Sequence, residues 1–104
     1  MKQYYVYILC CRDGSYYTGI TNDVENRVIH HQRGDDPKSY TYMRRPVKLV
    51  FVEEFREVND AIAAEKQIKG WSRKKKEALM KNNIPLLEQL SKRHSNVFHH
   101  IHPS

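Results

Sequence analysis

The sequence has no long apolar run. Its longest, Tyr4 to Cys11, has the length of a β-strand rather than of a membrane span. The amino-terminal residues also lack the pattern of a secretory signal peptide. The only two cysteines, Cys10 and Cys11, are adjacent, and neighbours on a strand point to opposite faces, so they are poorly placed to form a disulfide. We therefore expect a cytoplasmic protein with neither a membrane nor a disulfide-linked partner.

The chain is too short for two cores, and 104 residues predict one modest domain. Positive charge is what it has in excess, with a net charge of +6 and a pI of about 9.4. A mean hydropathy of -0.79 indicates a very polar surface. This charge favours a polyanionic partner, usually nucleic acid, although many small soluble proteins are equally basic.

The apolar and turn residues predict an α+β domain with the element order ββαβαα. Tyr4 to Cys11 is rich in β-branched and aromatic residues with little alternation, which is typical of a central strand covered on both faces. An Asp13-Gly14 turn then leads into a second strand, Tyr16 to Ile20. We expect a three-stranded antiparallel sheet with the first strand in the middle, flanked by helices.

One more strand and three helices follow this hairpin. The strand is expected over 47–55, with its buried side marked by Val47, Leu49, Phe51 and Val52. Capping residues and glycines set the helix ends. The predicted helices run from Asp23 to Arg33 after an Asn22 cap, from Glu57 or Asn59 to Lys69 before Gly70, and from Arg73 to Lys81 after a Ser72 cap.

We divide the chain into a folded domain and two carboxy-terminal segments. The domain is placed at 1–82. Three leucines predict a short helical extension at 83–93, namely Leu86, Leu87 and Leu90. Residues 94–104 form a polar tail with four histidines, which we expect to be flexible and to bind a transition metal only incidentally.

Two residues of the first helix suit phosphate chemistry. Arg27 and His31 are four residues apart and therefore share a helix face. Arginine clamps a phosphate with a planar fork, and histidine moves a proton near neutral pH. For this pair alone, a solvated polar helix face is the simpler interpretation.

Glu65 falls on the side of the second helix that is expected to face inward, together with Ala61 and Ile68. A carboxylate in that position needs a cation, because burying an unpaired charge costs free energy. One glutamate completed by waters suits Mg²⁺. A structural salt bridge to Lys69 or Arg27 is the alternative.

The tyrosines are concentrated in the first part of the chain, since all seven lie at or before Tyr42. Tyr5, Tyr7 and Tyr17 fall on the paired strands, where packing alone accounts for any one of them. A phenol is a poor base at its reference pKa of about 10, and we expect a nearby cation such as Arg27 or a metal to lower that value.

Basic residues beside aromatic rings predict contacts with phosphates and exposed bases. The candidates lie in the loop before the third strand and around the second and third helices. They are Lys38, Tyr40, Arg44, Arg45, Lys69, Arg73, Lys74 and Lys75, with Lys76 in the same basic run. For the run 74–76, an ordinary solvated face is the alternative.

In their order along the chain, these residues resemble the GIY-YIG nuclease superfamily, and within it the small stand-alone bacterial proteins of unassigned function. Tyr5-Val6-Tyr7 stands at the first hallmark triplet and Tyr17-Thr18-Gly19 at the second. Residues 19–31 resemble the helix that carries the family arginine, and 64–72 resemble the stretch with the metal glutamate. The resemblance covers about 2–81.

The resemblance implies an endonuclease that hydrolyses DNA with one Mg²⁺ or Mn²⁺ ion and little sequence specificity. Glu65 would bind the ion, and Arg27 would stabilise charge on the scissile phosphate. Tyr7 or Tyr17 would activate the attacking water while the other helps to place it. His31 would assist with proton or phosphate contacts.

Gly19 would let a backbone approach closely, which accounts for a glycine within a strand. The chain departs from the family pattern at Tyr5, which replaces a glycine, and its late asparagine has only Asn82 and Asn83 as candidates. A nucleic-acid-binding module with little or no cleavage is therefore the alternative function. A protein-interaction domain is a third, supported only by the leucines near 86.

Overall fold

The computed structural model describes residues 3–81. The strands form one antiparallel sheet in the order β2-β1-β3, so the central position of the first strand is confirmed. The α+β class and the order ββαβαα are confirmed as well. The elements are β1 (Tyr4–Cys10), β2 (Tyr16–Thr21), α1 (Val24–Arg33), β3 (Lys48–Phe55), α2 (Val58–Lys69) and α3 (Arg73–Lys81).

One element was not predicted, and two predicted segments are not described. A short 3-10 turn, Tyr42–Arg44, lies between α1 and β3 and was not predicted. The predicted helical extension at 83–93 and the histidine-rich tail at 94–104 lie outside the described residues. Within residues 3–81, no helix combines the length and the apolar character that crossing a membrane requires.

Both faces of the sheet are covered. On one face, Tyr7 and Leu9 of β1 pack with Val28 of α1. On the other, Val6 and Ile8 pack in the cluster that includes α2. Because successive side chains of a strand point to opposite faces, β1 is apolar along its whole length.

Strand β3 does not have the single buried side that was predicted. Its register against β1 shifts between two neighbouring pairs, so that Ile8 pairs with Phe51 and Leu9 pairs with Leu49. The extra residue reverses the alternation of side chains. Phe51 consequently joins the α2 face, whereas Leu49 and Val52 join the α1 face.

Helix α1 is capped one residue later than predicted. Its cap is Asp23 rather than Asn22, because the Asp23 carboxylate accepts a hydrogen bond from the backbone N–H of Asn26 at 3.1 Å. The same carboxylate accepts a second bond from the Asn26 side-chain amide at 2.8 Å. Gly34 ends the helix in the left-handed conformation at φ 70°, as predicted.

Helix α3 is fastened to the hairpin by a polar cluster. The Tyr16 phenol donates to the Glu77 carboxylate at 2.8 Å, and Arg73 pairs with the same carboxylate at 3.2 Å. Arg73 also donates to the Gly14 carbonyl and lies over the Tyr16 ring, 4.5 Å from its centroid. Ser72 accepts the backbone N–H of Lys75 at 3.2 Å, which confirms it as the cap.

Candidate active site

The centre of the candidate site is a hydrogen bond between two buried side chains. Tyr7 Oη of β1 lies 3.0 Å from His31 Nε2 of α1. Tyr7 is 1% exposed and His31 is 9% exposed, so a solvated helix face is the wrong interpretation for His31. Arg27, one turn earlier on α1, is exposed.

Burial controls the ionisation of the phenol. Burial raises the pKa of Tyr7 well above its ordinary value, and the nearby Tyr17 adds to the rise. The Arg27 guanidinium lowers the pKa of Tyr7 through its charge and a side-chain hydrogen bond, while the charge of Glu65 raises it again. The predicted lowering effect of Arg27 is confirmed, but the pKa of Tyr7 is still raised, because desolvation outweighs the charge of Arg27.

Burial acts on the histidine in the opposite direction. Burial first, and the positive charge of neighbouring α1 residues second, lower the pKa of His31 to about 4. The imidazole is therefore neutral at pH 7 and has one N–H donor and one lone-pair acceptor.

A stack of side chains connects the buried pair to the surface. The Tyr17 ring centroid lies 5.1 Å from that of His31 and 6.3 Å from that of Tyr7. Tyr40 stacks on Tyr17 at 6.1 Å with an interplanar angle of 22°. The Arg44 guanidinium carbon lies 3.9 Å from the Tyr40 centroid. The outer part of this stack reaches solvent, since Tyr40 is 42% exposed.

Gly19 provides the space that the Tyr7 ring occupies. The two residues are directly opposite each other across β1 and β2. A Cβ atom at position 19 would stand 2.5 Å from both Cζ and Oη of Tyr7. The close approach expected for Gly19 is thus made by a phenol ring rather than by a backbone.

Glu65 reaches this region from α2, the helix on the other face of the sheet. Ala61 and Ile68 on the same side of α2 are buried, as predicted. Helix α2 contacts β2, the edge strand that carries Gly19. The Glu65 side chain is 14% exposed, and its charge lies close enough to Tyr7 to raise the pKa of the phenol.

Of the two salt-bridge partners considered for Glu65, Lys69 is the one that pairs. Its Nζ lies 3.3 Å from the Glu65 carboxylate. Lys69 itself is 61% exposed, so its ammonium can turn away into solvent at little cost. The pair therefore leaves the carboxylate available to another cation.

The donor set fits a hard cation held by a single carboxylate. Within residues 3–81, no group of three or more His, Cys, Asp or Glu side chains lies close enough together to hold a metal ion. Mg²⁺ does not require such a group, because it binds through one or two carboxylates and keeps several waters. Glu65 provides one mostly buried carboxylate whose charge acts on the phenol.

A cavity of about 250 Å³ opens next to the buried pair. Its lining includes Tyr17, Arg27 and His31, together with Asp35, Asp36, Ser39 and Tyr40 of the following loop, whereas Tyr7 and Glu65 do not line it. The exposed Arg27 and the buried His31 therefore share this cavity, where a guanidinium can hold a phosphate.

The predicted nucleic-acid-binding residues separate into exposed and structural ones. Arg45 is half-buried, donates to the Tyr42 carbonyl at 2.8 Å and fills the space beside Gly34. Arg44 is half-buried and pairs with Asp13 at 3.2 Å. The exposed residues are Lys38, Tyr40, Lys69, Arg73, Lys74 and Lys75.

The basic run 74–76 is not uniformly solvated. Lys74 and Lys75 are exposed, and the Lys75 ammonium lies 4.4 Å from the Trp71 ring centroid. Lys76 is buried, and burial together with the charge of Lys69 lowers its pKa. Lys76 therefore belongs to the packing of α3.

Thr41 and Ser39 also join the site, although neither was predicted. Thr41 is fully buried, and its Oγ1 lies 2.7 Å from His31 Nδ1 and 3.0 Å from Ser39 Oγ. No sequence pattern marks these residues, because the burial of Thr41 depends on how the loop folds against α1.

The chain matches a known family and two solved structures. The GIY-YIG catalytic domain family matches residues 3–78. A UPF0213 protein of Staphylococcus saprophyticus is 47% identical over 76 residues, covering 73% of this chain and 92% of the relative. A UPF0213 protein of Staphylococcus aureus is 46% identical over 81 residues, covering 78% and 98% respectively.

Both solved structures were determined by solution NMR. A protein of E. faecalis has a TM-score of 0.57 and 38% identity, covering 79% of this chain and 86% of the other. A UPF0213 protein of Bacillus halodurans has a TM-score of 0.50 and 43% identity, covering 76% and 83%.

Proposed function

The chain belongs to the GIY-YIG family and, within it, to the small UPF0213 proteins, and from that premise we propose that it hydrolyses DNA phosphodiester bonds with one Mg²⁺ or Mn²⁺ ion. The observation that carries the proposal is the environment of Tyr7. Its phenol lies 3.0 Å from His31, and the charges of Arg27 and Glu65 both act on it. A base, a cation for phosphate and a carboxylate for a metal are the groups that this hydrolysis needs.

Tyr7 is proposed as the general base, and His31 is its hydrogen-bond partner. Arg27, exposed at the cavity wall, binds the scissile phosphate and stabilises the charge that develops on it. Tyr17 also lines the cavity and places the attacking water. A cation held by Glu65 would neutralise this carboxylate and polarise the phosphate, which favours the ionised phenol.

The exposed basic residues are proposed to hold the DNA backbone. Lys69 extends from α2 beside Glu65, and Lys74 and Lys75 continue along α3. The stack of Tyr40 and Arg44 offers a surface for an unpaired base. Phosphates and base faces carry little sequence information, so we propose low sequence specificity.

A nucleic-acid-binding module with little or no cleavage is the second candidate. Two observations favour it: the Glu65 carboxylate is paired with Lys69, and the pKa of Tyr7 is raised. Both oppose catalysis unless a bound cation displaces the ammonium and lowers the pKa of the phenol.

Nicking of a supercoiled plasmid in Mg²⁺ or Mn²⁺ tests the proposal. Glu65→Gln removes the charge of the metal ligand with little change of shape, and nicking should fall on the order of 10²-fold or more. Glu54→Gln is the matched control, since Glu54 is an exposed glutamate on β3, at the sheet edge opposite β2. It should nick like the unmodified protein.

The outcomes separate the two candidates. Equal nicking by the protein and its Glu65→Gln variant would indicate a contaminating nuclease and contradict the proposal. Absence of nicking, combined with salt-sensitive DNA binding that Glu65→Gln retains, would identify the binding module instead.

A further inference from the structure

The buried hydroxyl of Thr41 joins the Tyr7–His31 pair to the loop that follows α1. Thr41 Oγ1 lies 2.7 Å from His31 Nδ1, on the opposite side of the ring from the 3.0 Å contact with Tyr7. Ser39 Oγ lies 3.0 Å from Thr41 Oγ1. Four side chains therefore form one hydrogen-bonded chain from the cavity wall to the buried phenol.

The donors and acceptors of this chain favour one direction. Thr41 Oγ1 carries one proton and faces two possible acceptors, Ser39 Oγ and His31 Nδ1. Ser39 Oγ accepts the backbone N–H of Thr41 at 3.4 Å, which occupies one of its two lone pairs and favours donation of its own proton to Thr41 Oγ1. With Ser39 as that donor, the Thr41 proton points to His31 Nδ1, across the shorter of the two distances.

We propose that Thr41 is a positioning residue that holds the neutral His31 ring with its proton on Nε2, so that His31 donates to Tyr7 Oη. A neutral imidazole that accepts at Nδ1 must donate at Nε2. Burial keeps the ring neutral, since it lowers the pKa of His31 to about 4. Tyr7 Oη is then an acceptor, and its own proton is directed away from His31.

The arrangement has a consequence for the proposed reaction. A hydrogen bond donated to the phenol oxygen stabilises the ionised phenol and opposes the effect of burial. In the reverse arrangement, His31 Nδ1–H donates to Thr41, and His31 Nε2 accepts a hydrogen bond from the phenol. That hydrogen bond favours the neutral phenol. The effect of the His31 tautomer on catalysis rests on the proposed function. The position of the proton on the His31 ring is a property of the folded chain and can be tested without activity.

Long-range ¹H–¹⁵N correlation spectra of the His31 ring at pH 7 test the proposal without metal or DNA. The expected result is a ring protonated on Nε2, both in the unmodified protein and in Thr41→Ser, which keeps the hydroxyl. Thr41→Val removes the donor to Nδ1, and the ring should become a mixture of tautomers. The exposed His30 provides an internal control, because its signals should not change.

A His31 ring protonated on Nδ1 in the unmodified protein would overturn the proposal, as would an unchanged tautomer in Thr41→Val. If Thr41→Val does not fold, Thr41→Ala serves in its place, because it also removes the donor to Nδ1 and should also produce a mixture. A retained Nε2–H tautomer in Thr41→Ala would then overturn the proposal.

Nicking provides a separate readout. If the protein cleaves DNA, Thr41→Val should reduce the rate by about 10- to 100-fold, as for residues that orient a functional imidazole through its second nitrogen, and Thr41→Ser should restore it. A protein that shows the Nε2–H tautomer but never nicks would contradict the proposed function alone.

Discussion

At the scale of single residues, the site depends on Gly19, because a glycine has no side chain to collide with the Tyr7 ring. Gly19→Ala would place a Cβ atom 2.5 Å from Cζ and Oη of Tyr7. We expect the free energy of unfolding to fall by about 1–3 kcal/mol, as for other insertions into a packed core. Urea denaturation measures the change.

Gly70→Ala is the matched control, because its Cβ would meet nothing closer than 3.7 Å. It should leave stability nearly unchanged. In a Tyr7→Leu background the cost of Gly19→Ala should largely disappear, since the two sites couple through the ring. An undiminished cost in that background would contradict the assignment of this glycine to the phenol.

His31 should make stability depend on pH. Its pKa is about 4 in the folded chain against an ordinary value of 6.5, so the unfolded chain binds more protons between these values. Stability is then fully present above pH 6.5 and is lost as the pH falls toward 4, with a slope of up to about 1.4 kcal/mol per pH unit.

Denaturation at several pH values measures this slope. His31→Gln should flatten it, whereas His30→Gln, a change at the exposed neighbouring residue, should leave it intact. Identical slopes for the two variants would show that His31 is not held neutral by burial.

Several site residues were predictable and others were not, for physical reasons. The two tyrosine triplets and the helix spacing of Arg27 and His31 are properties of the local sequence. The raised pKa of Tyr7 is not, because it depends on how completely the surrounding elements exclude water. Thr41 was missed for the same reason, since only the folded loop brings its hydroxyl to His31.

At the scale of elements, α3 carries an exposed lysine, Lys74, and a buried one, Lys76. Lys74→Met removes an exposed charge, so it should weaken DNA binding for all sequences alike and reduce the salt slope by about 1. Lys76→Met keeps a long apolar stem and removes a charge that burial disfavours, so stability and salt slope should both be retained. Anisotropy titrations over a range of salt concentrations measure the slopes.

The two lysine variants control for each other, because they carry the same substitution on the same helix. Equal reductions of the salt slope would show that Lys76 contacts DNA and would contradict its assignment to the packing of α3.

The order of the elements follows from the sequence, whereas their details do not. Capping residues, glycines and apolar periodicity fix where helices and strands lie. The register shift in β3 depends on which β1 residues oppose it. The burial of Phe51 and Val52 on opposite faces of the sheet therefore could not be predicted from the β3 sequence alone. Likewise, Asp23 replaces Asn22 as the cap because its carboxylate bonds the Asn26 side chain as well as its backbone.

At the scale of the whole molecule, the two faces of the sheet supply different parts of the site. Helix α1 brings Arg27 and His31 to one face, and α2 brings Glu65 from the other. Gly19 lies in the edge strand β2, opposite Tyr7. The charges of Arg27 and Glu65 both change the pKa of Tyr7. We propose that a divalent cation bound by the Glu65 carboxylate lies near the Tyr7 phenol at this edge.

Paramagnetic broadening of NMR signals by Mn²⁺ at substoichiometric concentration is the decisive measurement, because it requires neither DNA nor activity. We expect broadening centred on Glu65, Gly19 and Tyr7, abolished by Glu65→Gln and unchanged by Glu54→Gln. Broadening centred on Asp35 and Asp36 of the exposed loop, or broadening that persists in Glu65→Gln, would contradict this proposal.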